Sequence, residues 1–283
     1  MTREYGRLFL CATPIGNLED MTYRAVRTLK EAVVIAAEDT RHTRKLLSHF
    51  DIHTPLVSYH EHNKEQRGPE LVARLLNGED IAAVSDAGMP GISDPGVDLA
   101  RLAIEQGILV IPVPGANAAL SALVCSGLDT TAFTFLGFLP KTKKKRQELL
   151  GRWAAHSCTM VFYESPHRLM ATLVELQAAF GSRRAVAARE LTKKFEEFVR
   201  GDLQSLAEYF TQQSPRGEFT LVVEGCPATG ETESRQENLS PVSYVEQLIR
   251  SGKNKKDAIR LVASELGLPK REVYQAVIEL KDH

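Results

Sequence analysis

Short apolar runs recur along the chain at residues 8–12, 33–37, 81–85, 109–113, 133–136, 159–163, 185–188 and 219–223. Segments with helical spacing lie between most of them, at 23–30, 71–76, 97–104, 116–123, 169–179 and 203–210. Strand and helix in alternation predict an α/β architecture with sheets covered on both faces. The length of 283 residues suggests about two such domains, each able to bury its own core. The expected division is an N-terminal α/β domain over 1–117, a second α/β domain over 118–226, a Gly/Ser/Thr/Glu-rich linker over 227–240 and a purely helical tail over 241–283.

The tail reads as three helices. Ser240-Pro241 opens the first, Asn254 with Asp257 caps the second, and Gly267-Leu268-Pro269 turns the chain into the third. Helix, tight turn, helix is a helix-turn-helix pattern. Lys253, Lys255 and Lys256 belong to its basic surface, which is either an RNA contact or the solvated face of a packing appendage.

Several classes are excluded. The longest apolar stretches fall far short of the roughly 18–20 residues that cross a bilayer, and the run at 8–12 stops at Thr13-Pro14, so no secretory signal is expected. Cys11, Cys125, Cys158 and Cys226 are scattered with no CxxC pair, so neither a disulfide framework nor a zinc cage is expected, and a reducing cytoplasm suits them. No two glycines are two positions apart, which removes GxGxxG, and the single Gly-Lys pair, Gly252-Lys253, is not part of a Walker loop. A nucleotide-like cofactor must therefore be held by another kind of loop.

Three Pro/Gly loops qualify. Thr13 to Asn17, Ser85 to Gly96 and Pro112 to Asn117 each follow an expected strand, and such loops at the carboxyl ends of strands line the crevice where α/β sheets bind ligands. Charged residues follow other strands: Glu38-Asp39-Thr40-Arg41-His42, Glu164 to Arg168, and Arg189 to Lys194. Asp39 or Thr40 also suits a helix cap, and Ser165-Pro166 suits a cap and first helical position. His60 and His62 lack a third ligand at metal-site spacing, so no metal is expected. Lys141, Lys143, Lys144, Lys145 and Arg146 form a basic run, read as a solvated loop or a phosphate contact. The balance of 35 Lys+Arg against 36 Asp+Glu argues against coating nucleic acid indiscriminately but leaves such local patches open.

Together, Thr13-Pro14-Ile15-Gly16-Asn17-Leu18, Ala37-Glu38-Asp39-Thr40-Arg41, Ser85-Asp86-Ala87-Gly88 with Ile92-Ser93-Asp94-Pro95-Gly96, Phe162 to Arg168 and Arg189-Glu190-Leu191-Thr192-Lys193 resemble the tetrapyrrole-methylase-fold family, in particular its branch acting on small-subunit ribosomal RNA. The resemblance implies two α/β domains with a cofactor crevice between them, a helical appendage and a homodimer. It implies transfer of a methyl group from S-adenosylmethionine to the ribose 2′-hydroxyl of a cytidine in the decoding region of 16S rRNA. Pro14, Ser85, Asp86, Ala87, Gly88, Ile92, Ser93, Gly115, Ala116, Asn117 and Phe162 or Tyr163 would then surround the cofactor. Met89 stands in that loop where a Thr is expected.

A ribose hydroxyl is a weak nucleophile and needs proton removal or orientation. Asp39 or Glu190 is the expected base, with His60 a further candidate and Lys193 and Arg41 set to hold phosphate or lower the hydroxyl pKa. Arg41, Arg168, Lys141, Lys143, Lys144, Lys145 and Arg146, with Lys253, Lys255 and Lys256, are the expected RNA contacts. A precorrin-type methylase and a non-catalytic RNA-binding factor are the alternatives on the same fold.

Overall fold

A computed structural model describes residues 4–227, 241–250, 253–265 and 268–279. The first sheet contains β1 (Arg7–Cys11), β2 (Val34–Ala37), β3 (Leu56–Ser58), β4 (Ile81–Val84) and β5 (Leu109–Val113), all parallel, in the order β3-β2-β4-β1-β5. Successive strand residues point to opposite faces. Val34, Ala36, Ile81 and Ala83 therefore pack with Leu71, Leu75, Leu99 and Ala103 of α3 (Lys64–Leu76) and α4 (Gly96–Glu105). Ile35, Ala37, Ala82 and Val84 pack on the other face with Ala25, Leu29 and Leu47 of α1 (Tyr23–Glu31) and α2 (Thr40–His49). Burial on both faces is why β2 and β4 are apolar at every position.

The connections from β1 and β4 leave for opposite faces, so the gap between these adjacent strands is a topological switch point, where ligands bind in open α/β sheets. The edge strand β5 carries Pro112, which blunts an otherwise pairable edge.

The second sheet is mixed. β6 (Phe133–Phe138), β7 (Thr159–Glu164), β8 (Arg184–Arg189), β9 (Glu197–Asp202) and β10 (Phe219–Val223) have the order β6-β7-β10-β8-β9, with only β6 and β7 parallel. One face takes α5 (Ala118–Ser126) against Val161, Val186, Ala188 and Val222. The other takes α6 (Lys143–Trp153), α7 (Leu169–Phe180) and α8 (Leu203–Gln212) against Met160, Phe162, Ala187 and Leu221. Both sheets belong to one compact unit ending at Cys226; a second begins at Pro227. In the second unit α9 (Pro241–Arg250), α10 (Lys255–Glu265) and α11 (Lys270–Glu279) share a core of Val245, Ala258, Ile259, Val262 and Val273. Asn254 accepts from Asp257 N–H at 2.9 Å. Ser240, Gly267 and the expected linker beyond Pro227 lie outside the described residues.

The structure differs from expectation in places. β3 and β9 are short or partly exposed, and no apolar run announced them. Lys143 to Arg146 are not a loop but the first turn of α6, because Lys and Arg are good helix formers and nothing after Pro140 breaks the chain. Ser165 does not cap α7. Its N–H donates to Glu164 Oε1 at 2.8 Å, the chain turns through 165–168, and the helix begins at Leu169.

Candidate functional site

The loops after β1 and β4 are tied together across the switch point. Thr13 and Gly88 exchange backbone hydrogen bonds of 2.9 and 3.0 Å, and Thr13 Oγ1 donates to the Ser85 carbonyl at 3.3 Å. Gly88 has φ +79°, and a Cβ there would lie 3.3 Å from Ile15 Cγ2. Farther along, Asp94 closes its own loop by accepting from Gly91 N–H at 2.8 Å and Gly96 N–H at 2.7 Å. Ser93 is held at φ +69°, a conformation that costs a non-glycine residue of the order of 1 kcal/mol or more and gathers at functional sites.

These loops form one wall of a cavity of about 510 Å³. The second sheet supplies the opposite wall through Phe138, Tyr163, Glu164, Ala188, Phe219 and Thr220. Of the sequence-derived cofactor residues, Ser85, Asp86, Ala87, Gly88, Ile92, Ser93, Asn117 and Tyr163 line it. Phe162 does not: it is fully buried among the residues beneath α7 and α8, because neighbours in β7 face opposite ways. Gly115 and Ala116 do not line it either; Gly115 is exposed, and a Cβ there would come within 2.9 Å of Ala12 Cβ. Asn117 spends its side chain capping α5, accepting from Leu120 N–H at 3.0 Å.

Pro14 lines an adjoining recess of about 450 Å³ with Thr13, Gly16, Leu18, His42, Lys45, Leu46 and Lys193. The recess and the cavity share Ile15, Asp86, Ala87 and Glu218, so they are two compartments of one crevice.

The two expected bases are both engaged elsewhere. Asp39 is the N-cap of α2, accepting from Arg41 N–H at 2.8 Å, and pairs with the Arg41 guanidinium at 3.2 Å. Hydrogen bonds from the Arg41 side chain and backbone hold its carboxyl below the ordinary value. Glu190 has φ +51°, and its Oε1 accepts from Lys193 Nζ at 2.9 Å and from Glu218 N–H at 3.0 Å. Burial pushes its carboxyl up, but the bonds from Lys193 and the Glu218 backbone outweigh that and hold it low. Lys193 also meets Glu218 Oε2 at 2.9 Å, so it is a counter-ion to two carboxylates and not a free phosphate ligand. His60 lies outside both compartments, with its Nδ1 buried and unpartnered.

The carboxylate that sequence reasoning missed is Glu38. It lines the cavity, and burial, followed by the nearby charge of Asp86, raises its carboxyl above the ordinary value. The signal was available: once Asp39 is spent as the helix cap, the residue before it is the one left to face the crevice. Glu164, Asp94 and Glu218 were likewise not selected, although all three line the cavity. Glu164 is an internal strut, accepting from Thr172 Oγ1 at 2.6 Å.

The expected RNA contacts separate into two groups. Arg146 is clamped bidentately to Glu175 at 2.6 and 2.7 Å, and Arg168 donates to the Leu139 carbonyl at 2.9 Å while facing Glu164 at 3.6 Å. Both hold the fold together. Lys141, Lys143, Lys144 and Lys145 stand exposed, as do Lys253, Lys255 and Lys256 in the second unit, and Arg41 is exposed despite its pairing. Among the described residues no group of three His, Cys, Asp or Glu is placed to hold a metal ion, and no helix is long and apolar enough to cross a membrane.

A family profile described as "Tetrapyrrole (Corrin/Porphyrin) Methylases" matches residues 7–207. Over 270 residues, 95% of this chain and 93% of its relative, the sequence is 54% identical to Ribosomal RNA small subunit methyltransferase I of Halalkalibacterium halodurans. It is 50% identical to the protein of the same name from Synechocystis over 277 residues, covering 98% of this chain and 99% of that one. Among solved structures, uroporphyrin-III C-methyl transferase from Thermus thermophilus, complexed with S-adenyl homocysteine, is similar with a TM-score of 0.55 at 20% identity, over 77% of this chain and 97% of the other. That last likeness concerns the fold alone.

Proposed function

The chain belongs to the tetrapyrrole (corrin/porphyrin) methylase family, and from that premise we propose that it methylates 16S rRNA of the small ribosomal subunit, using S-adenosylmethionine, at the ribose 2′-hydroxyl of a cytidine in the decoding region. The observation that carries the reading is near-full-length identity of 54% to a relative named for small-subunit ribosomal RNA. The two-compartment crevice supports it, one compartment suiting a cofactor and the other an acceptor.

S-adenosylmethionine fits the larger compartment. A volume of about 510 Å³ is in the range of small-molecule sites, and Gly88 lets the backbone approach a ligand where a side chain would crowd Ile15. Glu38, Asp86 and Asp94 set negative charge on the same wall, which suits a cofactor bearing a sulfonium and an ammonium. Ile15, Ile92, Leu191 and Tyr163 supply apolar surface for its adenine ring. When bound, the cofactor supplies an electrophilic methyl group on a leaving group that departs neutral.

This chain's contribution is orientation and proton removal. A Glu38 carboxylate oxygen takes the proton of the 2′-hydroxyl as the new O–C bond forms and the S–C bond breaks. A carboxyl raised by burial is a stronger base than an ordinary one, while Asp39 and Glu190, held low by their partners, are weaker. The exposed lysines at 141 and 143–145 hold RNA phosphates near the rim formed by Phe138, and those of the second unit add further contacts. The enzyme works in the cytoplasm as a homodimer, which light scattering tests directly.

Incubation of the protein with radiolabelled S-adenosylmethionine and 30S particles, naked 16S rRNA or tetrapyrroles decides the substrate. Label is expected in 16S rRNA, and digestion to nucleosides is expected to yield 2′-O-methylcytidine. Label found solely in a tetrapyrrole would overturn the reading, and failure to bind the cofactor would favour a non-catalytic RNA-binding factor.

A further inference from the structure

Helix α2 is basic along its length. Thr40–His49 contains Arg41, Arg44 and Lys45, with His42 and His49, and has no Asp or Glu. Arg41 lies three and four positions from Arg44 and Lys45, spacings at which like charges on a helix repel. Asp39 at the N-cap offsets Arg41, and among the described residues no carboxylate pairs with Arg44 or Lys45.

The side chains of α2 that enter the crevice are His42, Lys45 and Leu46, all on the wall of the smaller compartment. Positions 42, 45 and 46 are three and four residues apart, so they share one face. Both His42 and Lys45 are exposed, and among the described residues no carboxylate forms an ion pair with either side chain. Of the other charged groups facing the compartment, Lys193 is shared between Glu190 and Glu218, and Asp86, whose Oδ1 accepts from Asp39 N–H at 3.0 Å, keeps its negative charge where the compartment joins the cavity. The α2 side of the compartment thus carries Lys45 and His42 without an ion-pair partner among the described residues, while its acidic groups, Asp86 and Glu218, belong to the loop after β4 and to the residue before β10.

Building on the functional reading above, we propose that His42 and Lys45 form the subsite for an RNA phosphodiester beside the reacting nucleotide, and that they position the acceptor ribose against the cofactor cavity. The class of ligand follows from the chemistry: a compact anion on a strand that runs on past the open mouth of the compartment. Lys45 acts as a point charge and His42 as a hydrogen-bond donor. Arg41 and Arg44, exposed on the same helix, extend the basic track along which the flanking strand lies. The role is one of positioning, since proton removal falls to Glu38.

The test uses the full chain with Lys45→Gln, His42→Gln and Lys45→Arg, and with Arg101→Gln on α4 as a control outside the crevice. Steady-state methylation of 30S particles is measured together with binding of a single-stranded RNA oligonucleotide as a function of salt. Lys45→Gln is expected to raise KM for 30S particles about tenfold, with KM for S-adenosylmethionine unchanged, and to lower the salt slope of RNA binding by about 1, the signature of one lost phosphate contact. His42→Gln is expected to raise KM for RNA less steeply, Lys45→Arg to restore most of the affinity, and Arg101→Gln to match the unaltered protein. If the protein labels 16S rRNA while Lys45→Gln and His42→Gln leave both KM and the salt slope unchanged, the phosphate subsite is wrong and the functional reading stands. A rise in KM for S-adenosylmethionine alone would also overturn the subsite, assigning the wall to the cofactor. If no RNA is methylated yet Lys45→Gln still lowers the salt slope, the functional reading falls and the phosphate subsite stands.

Discussion

Thr13 and Gly88 face each other across the switch point, each donating its backbone N–H to the other's carbonyl. This two-bond link joins the loop after β1 to the loop after β4 at the wall of the cavity proposed for the cofactor. Gly88→Ala would place a Cβ at φ +79° and 3.3 Å from Ile15. The left-handed conformation alone costs about 1–2 kcal/mol. The variant is expected to lose stability by that amount in urea denaturation, and calorimetric titration is expected to show weaker S-adenosylmethionine binding. Unchanged cofactor affinity would mean that the loop does not approach the ligand.

As the proposed base, Glu38 is expected to set the pH dependence of turnover. Its raised carboxyl means that the acid limb of kcat is expected to fall at a pKa above the ordinary glutamate value of 4.5. Glu38→Gln is expected to remove that limb and lower kcat by about 10²-fold. A carboxyl raised on folding favours the folded state below 4.5 and opposes it as pH rises through the folded pKa, so the same variant should be no less stable than the parent at neutral pH. Asp39→Asn, which keeps a side-chain acceptor at the helix N-cap, should leave stability little changed and keep the acid limb. A limb that follows Asp39 instead would overturn the assignment.

The Glu190–Lys193–Glu218 cluster is a clamp with a definite pH window. The Glu190 carboxyl is held low, so its contribution is present above the unfolded value near 4.5 and is lost as pH falls through the folded pKa. Lys193 is held high, so its contribution persists through neutral pH and is lost as pH rises above 10.5. Lys193→Met, which leaves two carboxylates facing each other, is expected to cost about 2 kcal/mol between those limits and much less near pH 3. Chemical denaturation at several pH values checks this, and equal losses at all of them would show that packing rather than charge holds the loop.

Phe162 and Tyr163 separate packing from ligand contact. Phe162→Ala should cost about 3–5 kcal/mol in stability, and Phe162→Leu, which keeps most of the volume, should cost less and leave the Kd for cofactor unchanged. Tyr163→Ala, which strips the cavity wall, should weaken cofactor binding with a smaller loss in Tm. The opposite pattern would mean that the two faces of β7 have been reversed.

Local sequence was enough to locate the strands apolar on both faces, α1, α4 and the second half of α3, and the Pro/Gly loops at the strand ends, because each rests on periodicity or on backbone conformation that nearby residues dictate. Ser85 to Gly88, Ile92 and Ser93 reached the cavity wall for that reason. Which member of an adjacent pair faces the site was decided by tertiary structure: Tyr163 over Phe162 by the side of β7 on which α7 and α8 pack, and Glu38 over Asp39 by the helix that consumed the Asp39 carboxylate. The same is true of the cations. Arg146 and Arg168 look like phosphate ligands as a string, but Glu175 and the Leu139 carbonyl, each 29 positions away, take them up, whereas Lys45 meets no such partner. Charge in a sequence is a number of groups; whether a group is free to bind depends on what the fold brings within about 3 Å of it.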